Sequence, residues 1–200
     1  MPGYTDVLTS DWFYADFAQA RAAGVVVPAA DQRFRPYSKV SRALFAAYLV
    51  RAMAPDTLRD LTSSGGPGEA GTFSDVSPGH WAYNEIEIAA RLHLVQGTGD
   101  GSTYSPDAFV TRAQMATMIC RAMGLDNNGP WSGKAAAANQ LFDDVPPSYW
   151  AQGSIAMVDD LGLMCGDAAD RFRPQENTTR AQAITVMARL LRLLEGGSGS

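Results

Sequence analysis

Three arginines in this chain stand where a helix has little use for them. Arg42 opens "RALFAAYLVRAM", Arg112 opens "RAQMATMICRAMG" and Arg180 opens "RAQAITVMARLL", each directly after a Ser or Thr of the kind that caps a helix. The first turn of a helix carries partial positive charge, so a cation there costs roughly a few tenths of a kcal/mol. The position also has a chemical use. Unpaired N–H groups and positive potential suit an anion, and a guanidinium beside them can take a carboxylate through two parallel hydrogen bonds. The competing role is internal: an ion pair from each arginine to Asp6, Asp75 or Asp144. The residue pattern alone fits both.

The elements that position these arginines repeat three times. "YTDV" begins at Tyr4, "FSDV" at Phe73 and "FDDV" at Phe142, at intervals of 69 residues, and Trp12, Trp81 and Trp150 follow at the same intervals. Next come "RFRP", "TYSP" and "RFRP", ending at Pro36, Pro106 and Pro174, and then the arginine helices. Four landmarks in one order, three times over, define a tandem repeat. The spacing predicts a helix over residues 81–92, with Ala82, Ile86, Ala89 and Ala90 on one stripe. A glycine loop follows through Gly97, Gly99 and Gly101, then a short extended stretch at Tyr104 and Pro106. Thr111 caps a second helix whose apolar face carries Met115, Met118, Ile119 and Ala122. Phe34, Tyr104 and Phe172 read as core. The three tryptophans could offer faces to a sugar ring, but packing is the commoner use of tryptophan at a helix start.

Each repeat of about fifty residues is near the size at which a core becomes marginal. The second helices are apolar over more than a narrow stripe, so three helix-loop-helix repeats are expected to share one central helical core in a mainly α fold. The boundaries read as repeats at 1–54, 73–124 and 142–195, linkers at 55–72 and 125–141, and an appended tail at 196–200. Trp131, an unrepeated aromatic in the second linker, reads as a local anchor.

Composition narrows the function. A net charge of −5 and a pI near 4.9 argue against nucleic-acid binding. With fourteen arginines against two lysines, cationic work falls to a planar, permanently charged group. Cys120 and Cys165 read as buried free thiols, too few for a disulfide framework or a zinc site. No apolar run reaches the length of a membrane span. The histidines, His80 and His93, join no nucleophile set, and Glu85 and Glu87 lie on different helix faces, so no catalytic constellation emerges. Residues 97–102 hold one acidic side chain, Asp100, too few for a calcium loop. No metal or cofactor is implied.

The order of these landmarks resembles the S-layer homology family, most closely in the second copy, "FSDVSPGHWAYNEIEIAARLHLVQGTGDGSTYSPDAFVTRAQMATMICRAMG". The first copy departs furthest, with "VVVPAADQRF" in place of the glycine loop and Trp12-Phe13 in place of Trp-Ala. Where the family has Glu, this chain has Leu44, Gln114 and Gln182. The two glutamines can still complete a capping box, and Leu44 cannot.

The resemblance implies a pseudo-threefold arrangement of three lobes with grooves between neighbours. It further implies non-covalent anchoring of a surface protein to the bacterial cell envelope through an acidic wall polysaccharide, often one bearing a pyruvate ketal. On that reading Arg112 and Arg180, with Arg42, hold the ketal carboxylate. Trp12, Trp81 and Trp150 flank it, and Thr111, Thr179, Asp75, Asp144, Gly99 and Gly101 line the site. The expected location is the cell wall or S-layer, with other surface-layer proteins as further partners. Two alternatives remain open: an assembly module making protein–protein contacts, and a peptidoglycan-binding variant independent of pyruvate.

Overall fold

The structure is a computed structural model that describes residues 4–27, 29–64, 66, 71–125 and 141–197. Trp131 lies outside the described residues. The chain is mainly helical, as expected. Seven helices are present among the described residues: α1 (Tyr14–Ala22), α2 (Arg42–Met53), α3 (Pro55–Ser63), α4 (Tyr83–Arg91), α5 (Arg112–Ala122), α6 (Gln152–Asp160) and α7 (Arg180–Gly197). Extended backbone among these residues is limited to isolated bridges such as Lys39 with Thr179 and Thr111 with Asn177.

The chain divides into two compact units, Met1–Phe109 with Thr178–Ser200, and Val110–Asn177. Both boundaries cut a sequence repeat between its loop and its second helix, so the repeat is not the packing unit. In the larger unit α1 packs on α7 and α2 on α4; in the smaller unit α5 packs on α6. Each pair joins the first helix of one repeat to the second helix of the repeat before it, and the third repeat's α7 returns to the first repeat's α1. A repeat of marginal size thereby buries its apolar helix face against its neighbour's.

The caps follow the sequence. Ser41 Oγ accepts from Leu44 N at 3.2 Å without a reciprocal bond. Thr111 and Gln114 complete the capping box, Thr111 N donating to Gln114 Oε1 at 3.0 Å and Gln114 N to Thr111 Oγ1 at 3.3 Å. Thr179 and Gln182 do the same at 2.8 and 3.3 Å.

Two features of the linkers and tail differ from the sequence reading. Residues 55–72 begin with α3, started by Pro55 at its first turn, where the missing N–H costs nothing. The C-terminal helix α7 continues through Gly197 and so takes in the first residues of the expected tail. The helix expected over 81–92 is shorter, Tyr83–Arg91, because Trp81 and Ala82 belong to the preceding turn.

Glu85 and Glu87 are both buried, on different faces of α4. Glu85 pairs with Arg51 of α2 at 2.9 Å, and Glu87 accepts from Thr72 N at 2.9 Å and Thr72 Oγ1 at 2.7 Å. One ties α4 to α2 and the other ties down the end of the first linker.

Candidate functional site

The aspartate of each aromatic-x-Asp-Val turn holds the aromatic-x-Pro loop of its own repeat. Asp6 accepts from Phe34 N and Arg35 N at 2.7 and 2.8 Å. Asp75 accepts from Tyr104 N and Ser105 N, both at 2.7 Å, and Asp144 from Phe172 N and Arg173 N at 2.8 and 2.7 Å. The residue before the proline adopts a left-handed backbone each time, with φ of 55° at Arg35, 57° at Ser105 and 57° at Arg173. Such a conformation costs a non-glycine residue roughly 1 kcal/mol or more, and the carboxylate that takes both N–H groups offsets it. The fully buried rings of Phe34, Tyr104 and Phe172 then plug the core, as expected.

This loop receives the arginine helix of the preceding repeat. Arg42 N and Ala43 N donate to Ala108 O and Pro106 O at 2.8 and 2.9 Å. Arg112 N and Ala113 N donate to Glu176 O and Pro174 O at 2.9 and 3.0 Å, and Arg180 N and Ala181 N to Ser38 O and Pro36 O at 2.9 and 2.8 Å. With the next N–H taken by the Ser or Thr cap, the expected anion seat on the helix N-terminus is closed by backbone carbonyls. Any anion site here is a side-chain site.

The arginine side chains lie over the same loops. Arg42 stacks over Tyr104, its carbon 4.5 Å from the ring centre, and donates from Nε to Tyr104 O at 2.8 Å and from Nη2 to Gln96 O at 3.0 Å. Arg112 repeats this over Phe172 at 4.4 Å, with Nε to Phe172 O at 2.6 Å and Nη2 to Cys165 O at 2.8 Å. Arg180 stacks over Phe34 at 5.1 Å, but neither carbonyl bond forms among the described residues, and its Nε is buried without an acceptor. The internal ion pair considered from sequence is absent too. Among the described residues none of the three arginines bridges to Asp6, Asp75 or Asp144, whose oxygens are committed to backbone N–H groups.

Packing, the commoner use of tryptophan, is not what these three do. Trp12, Trp81 and Trp150 are 61%, 54% and 59% exposed, and the residue after each, Phe13, Ala82 or Ala151, turns into the core instead. In the larger unit a groove of about 410 Å³ is lined by Trp81, Arg180, Lys39 and Ser41 together with the apolar residues Val27, Ala29 and Leu44. Lys39 is a functional candidate that sequence reasoning missed. Its signal was rarity, one of two lysines, at a position that Phe109 and Asn177 occupy in the other repeats.

The S-layer homology domain model matches residues 3–46, 72–116 and 141–184. The chain belongs to that family. Its relatives include an amylopullulanase of Thermoanaerobacterium thermosulfurigenes, 31% identical over 80% of this chain and 8% of that protein. They also include a cellulosome-anchoring protein of Acetivibrio thermocellus, 29% identical over 79% of this chain and 33% of that protein. A surface layer protein of Brevibacillus choshinensis is 34% identical over 53% of this chain and 9% of its own length. The chain thus spans only a small part of the relatives it matches. Membership places this S-layer homology module at the cell surface, and no helix among its described residues is long and apolar enough to cross a membrane.

Other sequence candidates have structural work in the module. His80 Nδ1 accepts from Ala82 N at 3.2 Å, and His93 takes a left-handed turn (φ 57°) where the other repeats have Gly24 and Gly162. Gly99 and Gly101 lie in open space at φ of 59° and 90°. Cys120 is buried as expected, but Cys165 is exposed: Leu163 and Met164 bury themselves, and Cys165 turns outward while its carbonyl holds Arg112.

Electrostatics adds a pH signature. Partial desolvation works against ionised Asp75, but the N–H groups of Tyr104 and Ser105 outweigh it and hold the carboxyl below the usual range. Asp167 is lowered by the N–H of Ala169, against desolvation and with help from Arg173, and Asp100 by the hydroxyl and N–H of Ser102. Asp31 is lowered as well, Arg33 N–H and Arg35 overcoming its desolvation. Asp159 shifts upward, through burial and the neighbouring Asp160. A depressed folded-state pKa gives stability that is complete above the unfolded value near 4 and is lost as pH falls through the folded value. Melting temperature should therefore hold from neutrality to about pH 5 and fall progressively below about pH 4. Asp75→Asn should shrink that fall, and an acid limb unchanged by the substitution would remove Asp75 as a contributor.

Proposed function

We propose that the module anchors its parent protein to the bacterial cell envelope by binding an acidic wall polysaccharide non-covalently. One observation carries this reading: Arg180, a second cation, a hydroxyl and the exposed face of Trp81 line one open groove. A guanidinium and an ammonium can take a carboxylate, while an aromatic ring and apolar lining residues suit the body of a sugar ring. An acidic chain can bind an acidic ligand because charge within the groove, not net charge, sets the local field. A pyruvate ketal, a carboxylate fixed on a sugar by a compact ring, matches this lining. Arg42 and Arg112 keep a secondary place through the guanidinium nitrogens not spent on carbonyls. Trp12 and Trp150 serve as further faces, and Thr111, Thr179, Gly99 and Gly101 as minor contacts; Asp75 and Asp144 act through the loops they hold. That a cellulosome-anchoring protein is among the relatives supports the anchoring role.

The test is calorimetric titration with pyruvylated N-acetylmannosamine beside the same sugar lacking the ketal. Binding confined to the pyruvylated sugar is expected, and equal binding of both would turn the reading towards a neutral or peptidoglycan ligand. Trp81→Ala should weaken binding by about tenfold or more, as loss of an aromatic anchor does, with the melting temperature unchanged because the ring is half exposed. Unchanged affinity would take the ring out of the site.

A further inference from the structure

We propose that His80 is a pH-responsive positioning residue for the exposed ring of Trp81. The neutral imidazole fixes the turn that presents the ring, and protonation of the imidazole releases it. This placement of Trp81 is independent of any glycan. The three repeats differ at the position before the tryptophan, which is Asp11, His80 or Tyr149. His80 and Tyr149 lay their rings beside the following indole in almost the same way. The ring centres are 5.8 Å apart in both, with interplanar angles of 34° and 38°. Only His80 also holds the backbone: its Nδ1 accepts from the N–H of Ala82, two residues on, at 3.2 Å. The ring of Tyr149 has no such nitrogen, and its hydroxyl accepts from Gln175 Nε2 at 2.6 Å. Asp11 bonds in the other direction along the chain, accepting from Leu8 N at 2.8 Å.

The bond to Ala82 exists in one protonation state only. An imidazole nitrogen that accepts carries no proton, so the neutral ring has its proton on Nε2, whereas in imidazolium both nitrogens donate. At 3.2 Å, Nδ1–H and Ala82 N–H would be two donors facing each other, so the charged ring must turn away. It leaves behind the N–H of a fully buried residue that has no other acceptor among the described residues. A buried N–H is rarely left unpaired. The turn must shift to let it reach water, and Trp81, which stands between His80 and Ala82, shifts with it. Attraction between imidazolium and the indole keeps the two rings near each other but restores no acceptor to Ala82. No ion pair competes for the ring among the described residues. The repeat places Asp107 opposite it, where Gln175 meets Tyr149. Asp75 and Glu85, on its own turn and helix, are committed to Tyr104 N with Ser105 N and to Arg51. Lys39 and Arg180 share the groove that Trp81 lines. Histidine is the side chain whose ordinary titration falls between about pH 5 and 8. A surface ring is thereby held in place at neutral pH and let go in mild acid.

The experiment is a pH titration of the whole isotope-labelled chain by NMR, from about pH 8 to about pH 5. The amide of Ala82 and the indole N–H of Trp81 are expected to move along the titration curve of the His80 ring. Exchange of the Ala82 amide with solvent, corrected for the intrinsic effect of pH, should speed up by about tenfold as its hydrogen bond is lost. The indole of Trp150, beside Tyr149 in the same ring geometry, should stay in place and serves as the internal control. His80→Asn keeps a side-chain acceptor for the N–H two residues on and has nothing to titrate. In that variant both resonances should hold their positions throughout. His93→Gly, which puts at this turn the residue found at Gly24 and Gly162, removes the other histidine and should leave the curves unchanged. Ala82 and Trp81 resonances that stay fixed while His80 titrates, or that move as far in His80→Asn, would overturn the inference. The titration needs no ligand, so its failure leaves the glycan reading intact, and failure of the glycan reading leaves the titration standing.

Discussion

Arg42→Ala should destabilise the larger unit by about 3 kcal/mol, far more than the removal of a charge from a helix surface. A helix-dipole argument alone gives the opposite sign: deleting a cation from a first turn should gain roughly a few tenths of a kcal/mol. That term loses. The residue is 8% exposed, and its guanidinium donates to Tyr104 O and Gln96 O and covers the Tyr104 ring at 4.5 Å. Hydrogen bonds from a charged donor contribute roughly 1.5–3 kcal/mol each, and cation–π contact about 0.5–2 kcal/mol where desolvated. Alanine would also leave two carbonyls short of partners and a cavity under the loop. Arg42→Lys should recover little, because one ammonium cannot reproduce the fork that reaches both oxygens. Urea denaturation followed by circular dichroism measures the difference. A loss under about 1 kcal/mol would mean that the loop is held by Asp75 and the ring of Tyr104, with the arginine incidental.

The comparison of Arg42 with Arg180 shows where the sequence is legible and where it stops. Helix positions, caps and core aromatics follow from local rules, since a Ser or Thr before a helix and an apolar stripe at helical spacing act over a few residues. The glutamine-completed capping boxes were readable for the same reason. The acceptors of the arginines were not, because Tyr104 O and Phe172 O lie about sixty residues away and carbonyls have no side-chain signature. The same blindness made the helix N-termini look like open anion seats, when Pro106 O, Pro174 O and Pro36 O already fill them. The family resemblance placed Asp75 and Asp144 at the site, and both recur at the repeat interval. They recur because each holds a left-handed residue before a proline, a backbone requirement that sequence spacing does not display. Lys39 is the reverse case, visible as a rarity and given meaning only when the fold brings it beside Trp81 and Arg180.

Gly97→Ala is the second large effect, and it separates two reasons for glycine in one loop. Gly97 precedes a tight turn in which Thr98 N donates to Thr103 O at 2.7 Å and Gly101 N to Thr98 O at 2.9 Å. A Cβ at Gly97 would run into the carbonyl of Gly101 and sit 2.7 Å from Thr103 O. Both obstacles are backbone, so relief requires moving the turn itself, at a cost of about 2–3 kcal/mol. Gly99 offers the contrast: its φ is 59°, but a Cβ there meets nothing within 4 Å. Gly99→Ala should therefore cost only the left-handed strain, about 1 kcal/mol. Because Gln96, immediately before Gly97, gives its carbonyl to Arg42, displacing the turn should also loosen that clamp. The Arg42→Ala and Gly97→Ala effects should then sum to more than the double variant loses, by about 0.5 kcal/mol or more, whereas Gly99→Ala and Arg42→Ala should add. Strict additivity for the Gly97 pair would show that the turn and the arginine are held independently, and that the loop is rigid enough without the clamp.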